Sequence, residues 1–121
     1  MRSGDPSGLD GLLADDVVFL SPVVHAPQRG KAVTTAYLAA AMCVLGDPSF
    51  RYVRELVSGR DAVLEFEVEL DGVQVNGVDL IRWGEDGRIT EFKVMVRPLK
   101  AVNALHRKMA GALGLSPPAK A

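Results

Sequence analysis

The sequence has little cysteine and no excess of either charge. Cys43 is the single cysteine among 121 residues, so a disulfide within the chain and a zinc site built from several cysteines are both excluded. The 15 acidic residues nearly balance the 14 basic ones, which gives no indication of a nucleic-acid or anionic-membrane partner. No phosphate-binding glycine loop is present either. We therefore expect a protein that acts without a metal or cofactor and without nucleic acid.

Long apolar runs are also missing from the chain. Residues 1–8 lack the apolar core of a signal peptide, and no run approaches the roughly 20 residues that a transmembrane helix needs. We expect a cytoplasmic protein that does not contact a membrane. Hydrophobic residues nevertheless make up 48% of the sequence, enough for the core of one domain. We expect this single domain to span residues 9–113 and the termini, 1–8 and 114–121, to be flexible.

Hydrophobic periodicity predicts three helices and five strands, and four of the strands follow one another in the second half of the chain. The predicted helices cover 9–14, 31–45 and 99–113, and the predicted strands cover 17–20, 50–57, 62–70, 73–83 and 89–96. Asp71-Gly72 and Asp86-Gly87 are turn signals that join the last strands into hairpins. The buried face of the helix over 31–45 is predicted to contain Val33, Ala36, Tyr37, Ala40 and Val44. This order is typical of an α+β fold with an antiparallel meander of three or four strands.

The strand over 62–70 alternates between apolar and acidic residues. Because successive side chains point to opposite faces of a strand, its apolar face contains Leu64, Phe66 and Val68, whereas Glu65, Glu67 and Glu69 share the other face. The three glutamates could suggest a metal site or a catalytic carboxylate pair. They fan out without a histidine partner, however, so we interpret their face as the outer surface, facing solvent or a second subunit.

Asp79 is an acid among apolar residues of the strand over 73–83. Alternation places it on one face with Val75, Gly77 and Ile81. An unpaired carboxyl there would have a raised pKa, because burial disfavours its charged form, and it could donate a hydrogen bond to a ligand carbonyl. The alternative is a carboxylate that pairs with an arginine or caps a backbone group.

Other candidate site residues lie on several elements of the chain. His25 follows the first strand and could act as an acid or base at a pocket mouth, although an exposed loop histidine is the alternative. Tyr37 and Tyr52 could direct hydroxyls into a cavity or serve as core aromatics. The predicted pocket is lined by Tyr37, Tyr52, Leu64, Phe66, Val68, Asp79, Phe92 and Val94, and Asp79 with His25 are the candidate catalytic residues.

The order and spacing of these segments resemble a known superfamily. The likeness is found in Ala14-Asp15-Asp16-Val17-Val18-Phe19-Leu20-Ser21-Pro22 followed by Gly30, in Leu64-Glu65-Phe66-Glu67-Val68, and in Asp79-Leu80-Ile81-Arg82-Trp83 through Asp86-Gly87-Arg88-Ile89. It is a likeness to the nuclear transport factor 2-like (NTF2-like) superfamily, and within it to the SnoaL-like group of polyketide cyclase-related proteins. The resemblance implies a cone-shaped α+β half-barrel whose curved antiparallel sheet wraps around helices and encloses a pocket, with the first helix shortened here. It also implies a homodimer.

The resemblance extends to ketosteroid isomerase, which shares this fold and uses a protonated aspartate in an oxyanion hole and a second aspartate as the base. Asp79 matches the first acid, but Ser21 occupies the position of the base, and no tyrosine precedes Tyr37. The Asp-Arg-Asp constellation of limonene-epoxide hydrolase is also missing near Glu65 and Glu67. We therefore favour a protein that binds a small apolar molecule. The alternative is a proton-transfer enzyme (an isomerase, cyclase or dehydratase) that acts on a small apolar or polyketide-like substrate.

Overall fold

The computed structural model describes residues 9–23 and 25–113. The expected flexibility of 1–8 and 114–121 concerns segments outside these residues. The helices are α1 (Leu9–Leu12), α2 (Lys31–Leu45) and α3 (Leu99–Ala112), and the strands are β1 (Leu13–Leu20), β2 (Gln28–Arg29), β3 (Arg51–Ser58), β4 (Asp61–Leu70), β5 (Val73–Trp83) and β6 (Ile89–Arg97). No helix in this described part of the chain combines the length and the apolarity needed to cross a membrane.

The strands form one six-stranded sheet in the order β2-β1-β6-β5-β4-β3. The predicted meander is present from β3 to β6, and β4 joins β5 through Asp71-Gly72, whose φ angles of 52° and 78° suit a tight hairpin turn. We expected an antiparallel sheet. This expectation is wrong for one pair of strands, because β1 runs parallel to β6, with Phe19 opposite Phe92. The short β2 lies in a segment for which the sequence predicted neither helix nor strand, and it pairs with β1.

The first strand is longer than predicted. It begins at Leu13, which the sequence periodicity had placed in the preceding helix, and α1 is correspondingly only four residues long. Leu13 is fully buried and lies opposite Ile89 of β6. Pairing with a distant strand and burial in the core therefore decide the structure of this residue, which local periodicity cannot show.

Helices α2 and α3 cover the concave face of the sheet and form the core with it. One apolar cluster joins Phe66 and Val68 of β4 to Leu105 of α3, and a second joins Phe92 of β6 to Leu38 of α2. The buried face of α2 agrees with the predicted one only in part. Ala40 is buried and Tyr37 and Val44 pack against the core, as predicted, whereas Ala36 is exposed. Thr34 and Leu38 are buried instead. The reason is that an alanine-rich helix has little hydrophobic periodicity, so its contacts with the sheet determine which face is buried.

The convex face of the sheet carries the glutamates of β4, as the alternation predicted. Glu67 lies 2.7 Å from Arg51 and Glu65 lies 3.4 Å from Arg54, in both cases between side-chain atoms of neighbouring strands. The same face exposes large apolar side chains, because Leu56 is 59% and Met95 50% exposed. The convex face therefore combines charged and apolar side chains.

Candidate functional site

A cavity of about 730 Å³ lies between the concave face of the sheet and helices α2 and α3. Its size falls within the roughly 300–1,000 Å³ of small-molecule sites. The aromatic residues of the chain are concentrated there, because every phenylalanine and tyrosine lines the cavity, whereas the tryptophan does not. These residues are Phe19, Tyr37, Phe50, Tyr52, Phe66 and Phe92.

The aromatic rings form two groups that come from different elements. Phe19 of β1 contacts Tyr37 of α2, with 5.4 Å between ring centroids, and also Phe92 of β6 at 6.2 Å. The second group stacks Phe50 on Phe66 at 5.2 Å, while Tyr52 meets the edge of Phe50 at 5.1 Å. Such offset and edge-to-face contacts hold the rings in fixed orientations. The cavity wall is therefore apolar and preorganised.

Asp79 of β5 is an acid on the sheet side of this mostly apolar wall. The strand register places it directly between Leu64 of β4 and Val94 of β6. Within residues 9–23 and 25–113 its carboxyl makes no ion pair or hydrogen bond, so the salt-bridged alternative is not what the structure shows. Burial raises the pKa of Asp79 from 3.8 to about 7. The group can therefore donate a hydrogen bond when protonated and act as a base when ionised.

The remaining charged residues of the cavity lie towards its rim, before and within β3. They are Asp47, Arg51 and Glu55. Asp47 accepts hydrogen bonds from the backbone N–H and the hydroxyl of Ser49 at 2.8 and 2.7 Å, and these bonds lower its pKa. The guanidinium of Arg51 is bound to Glu67, 2.7 Å away. The rim therefore carries more acidic than basic groups, and its one arginine is already paired.

The structure brings most of the predicted pocket residues together on this cavity. Tyr37, Tyr52, Phe66, Asp79, Phe92 and Val94 all lie on its wall. Ser21, which occupies the position of the isomerase base in the resemblance, lies there as well, and its hydroxyl accepts a hydrogen bond from the backbone N–H of Val23 at 3.1 Å.

Leu64, Val68 and His25 are not on the cavity wall, contrary to our expectation. Val68 is 1% exposed and packs under α3, and Leu64 is half-buried beside Asp79 without lining the cavity. Strand alternation fixes the face of a side chain but not which side chains the helices leave uncovered. His25 is exposed and lies with Lys93 in an adjoining cleft, which shares Ser21, Pro22 and Val94 with the cavity.

Sequence reasoning missed several wall residues on the helices and in β1. Leu38 and Met42 of α2 and Leu105 and Met109 of α3 close the cavity opposite the sheet, and Phe19 lines it from β1. Phe19 could have been found from its alternation with Val17, but the α2 residues had no usable pattern. Within residues 9–23 and 25–113, no group of three or more histidine, cysteine or acidic side chains is arranged to hold a metal ion.

Comparisons with known proteins agree with this architecture. A model of the SnoaL-like domain family matches residues 1–92. The structure of a steroid delta-isomerase from Pseudomonas aeruginosa is 40% identical, with a TM-score of 0.88 over 93% of this chain and 82% of that one. A cystatin-like-fold protein of Silicibacter pomeroyi DSS-3 is 37% identical, with a TM-score of 0.82 over 89% and 75% of the two chains.

An NTF2-like protein of unknown function from Mesorhizobium loti is 26% identical to this chain. Its TM-score is 0.69, and the match covers 80% of this chain and 81% of that one. The comparison with curated proteins gives no match. The α+β half-barrel that the sequence predicted is therefore confirmed at the level of the fold.

Proposed function

Because the chain belongs to the SnoaL-like domain family and has the NTF2-like fold, we propose that it binds a small, mostly apolar molecule in the cavity around Asp79. The observation that carries this proposal is an unpaired carboxyl on the wall of a cavity that is mostly aromatic and aliphatic, with its other charged groups towards the rim. Small-molecule sites have this composition, in which an apolar wall supplies affinity and a few polar groups fix orientation.

Asp79 has no hydrogen-bond or ion-pair partner in the part of the chain that the structure describes, and this supports a ligand role. A buried polar group without a hydrogen bond costs free energy, roughly 1–3 kcal/mol. A ligand that exchanges a hydrogen bond with Asp79 would recover part of this free energy. The aromatic rings on both sides of the cavity would at the same time cover the apolar body of the ligand.

Binding can be tested with a fluorescent aromatic alcohol, 2-naphthalenemethanol, and a matched pair of α2 variants. Ala41→Trp fills the cavity, because Ala41 lies on its wall, whereas Ala36→Trp adds the same ring to an exposed position of the same helix. We expect Ala41→Trp to weaken binding by about tenfold or more, which corresponds to about 1.4 kcal/mol, and Ala36→Trp to leave it unchanged. Equal binding by both folded variants would contradict the proposal.

A second candidate function is proton transfer on such a molecule. A general acid or base works best with a pKa near the working pH, and the pKa of Asp79 is about 7. The 40% identity to a steroid delta-isomerase also favours it, whereas Ser21 in place of a base argues against it. Isomerisation of a β,γ-unsaturated ketone, followed by ultraviolet absorbance of the conjugated product, would test it. Activity that is lost in Asp79→Asn would favour the enzyme, and a rate equal to that of buffer would exclude this reaction.

We also propose that the protein is a homodimer. The support is the mixed convex face, on which Leu56 and Met95 are exposed beside the ion pairs of β3 and β4. Apolar groups within a polar rim are a common composition of subunit interfaces.

A further inference from the structure

We propose that the cavity selects an apolar molecule that carries a positive charge, such as an arylalkyl amine, and that it holds the ammonium group beside Asp79. This inference rests on the proposed function, because it assigns the chemical class of the molecule in the same cavity. It depends on two observations about the wall: the sign of its charged groups and the position of its aromatic rings around Asp79.

Among the described residues of the wall, the Asp79 carboxyl has no basic partner. Asp47, Glu55 and Asp79 line the cavity, against Arg51 as the one basic residue among the described lining. Arg51 is not available to Asp79 in this arrangement, because its guanidinium is bound to Glu67 on the outer face at 2.7 Å. Helices α2 and α3 contribute only uncharged side chains to the wall. A cationic ligand would therefore supply the partner that Asp79 lacks among residues 9–23 and 25–113.

Aromatic rings flank Asp79 on both neighbouring strands. Phe66 pairs with Gly77 and Phe92 pairs with Ile81, so each phenylalanine is a diagonal neighbour of Asp79 on the concave face. Diagonal neighbours in an antiparallel sheet lie roughly 7–8 Å apart, within reach of an aromatic side chain. The Phe66 ring lies directly over Gly77, where an added Cβ would overlap it.

These rings favour a cation over an anion. The face of an aromatic ring carries negative potential and attracts an ammonium group, most strongly where water is excluded. An ammonium ion beside Asp79 would gain from the carboxylate and the neighbouring rings together. A carboxylate in the same place would be repelled by both, and a neutral hydroxyl would gain only a hydrogen bond.

Charge selection also predicts how binding depends on pH. Burial holds the pKa of Asp79 at about 7 in the free protein, so the carboxylate is mostly protonated in mild acid and mostly ionised in mild base. The affinity for a cation should therefore rise with pH through this value. The other titratable groups of the wall are Tyr37 from α2, Asp47 from the loop after it, and Arg51, Tyr52 and Glu55 from β3.

The test compares three naphthyl probes that differ in charge: 2-naphthylmethylamine, 2-naphthalenemethanol and 2-naphthoate. The first two differ only in an ammonium group in place of a hydroxyl. We expect the wild-type protein to bind the amine about tenfold or more tightly than the alcohol at about pH 8, and the naphthoate weakest. At about pH 5.5 the preference for the amine should shrink to about twofold or less, because Asp79 is then protonated.

Two variants distinguish an effect of the Asp79 carboxylate from an effect of the overall charge of the protein. Asp79→Asn should reduce the amine-to-alcohol preference at about pH 8 to near one. Glu69→Gln removes a charge from an exposed position outside the cavity and should keep the wild-type preference. Alcohol binding that equals or exceeds amine binding at about pH 8 would overturn this inference alone. So would a preference that survives in Asp79→Asn. Failure of all three probes to bind would instead contradict the proposed function.

Discussion

Replacing Asp79 with asparagine should remove a free-energy penalty that grows as the pH rises. The carboxyl has a pKa of about 7 in the folded protein, against 3.8 for an ordinary aspartate, because it is buried. The folded state therefore holds its proton to higher pH than the unfolded chain does. Below about pH 3.8 both states are protonated, and the group causes no penalty. As the pH rises towards about 7 the unfolded state gains from ionisation, and the folded state becomes relatively less stable.

The size of this penalty follows from the two pKa values. Each pKa unit corresponds to about 1.4 kcal/mol. A rise from 3.8 to about 7 therefore corresponds to about 4 kcal/mol at and above neutral pH. This figure is an upper limit, because the side chain is half-buried and water that enters the cavity would screen its charge. Asparagine does not titrate, so the stability of Asp79→Asn relative to the wild type should rise between about pH 4 and pH 7 and then level off.

Urea denaturation followed by circular dichroism, at several pH values and one fixed protein concentration, measures this difference. The absolute difference at any single pH also contains the packing of the new amide, so the change with pH is the informative quantity. Asp61→Asn is the matched control, because Asp61 is an exposed aspartate, bound to Arg82 at 2.8 Å on the sheet surface. It should lack the large rise towards neutral pH.

The opposite pH dependence would refute the reasoning. If Asp79→Asn were less stable than the wild type at about pH 8, and the deficit disappeared in mild acid, the carboxylate would be stabilised by a cation in the folded state. A difference that does not change with pH would mean that burial does not disfavour the ionised form. Either result would remove the unpaired acid on which both the binding proposal and its charge selectivity rest.

The remaining predictions concern the core and the convex surface. The hydroxyl of Thr34 is buried without a hydrogen-bond partner among the described residues. Thr34→Val should therefore stabilise the protein by about 1 kcal/mol in thermal or urea denaturation. A loss of stability would contradict this, because it would mean that the hydroxyl makes a hydrogen bond in the folded protein. Gly77→Ala should lower the free energy of unfolding by about 1–3 kcal/mol, because the added methyl group would overlap the buried Phe66 ring. The double variant with Phe66→Leu should lose less stability than the sum of the two single variants. Light scattering should show a dimer that Leu56→Lys with Met95→Lys converts to a monomer, and a wild-type monomer at high micromolar concentration would count against the dimer.

The meander illustrates what local sequence can predict. The strand from Val73 to Trp83 and the helix from Lys31 to Leu45 were predicted with the bounds that the structure has. Alternation in β4 and turn residues such as Asp71-Gly72 depend on backbone geometry within a few residues. By contrast, the start of β1 at Leu13 depends on Ile89 of β6, and the pairing of Phe19 with Phe92 joins distant parts of the chain. Such contacts leave no local periodic signal.

Asp79 shows which properties of a residue are local and which depend on the tertiary structure. By itself the sequence determined the α+β order of elements, the family, and the face of β5 on which this acid lies, because strand alternation and turn chemistry are local. Only the tertiary structure decided that no basic side chain of residues 9–23 and 25–113 pairs with the carboxyl, and that Leu38 and Leu105 line the same cavity from the helices. It also decided that His25 lies outside this cavity. The burial and the pairing of a side chain depend on residues that are distant in the sequence, and together they determine the pKa and the chemistry of the site.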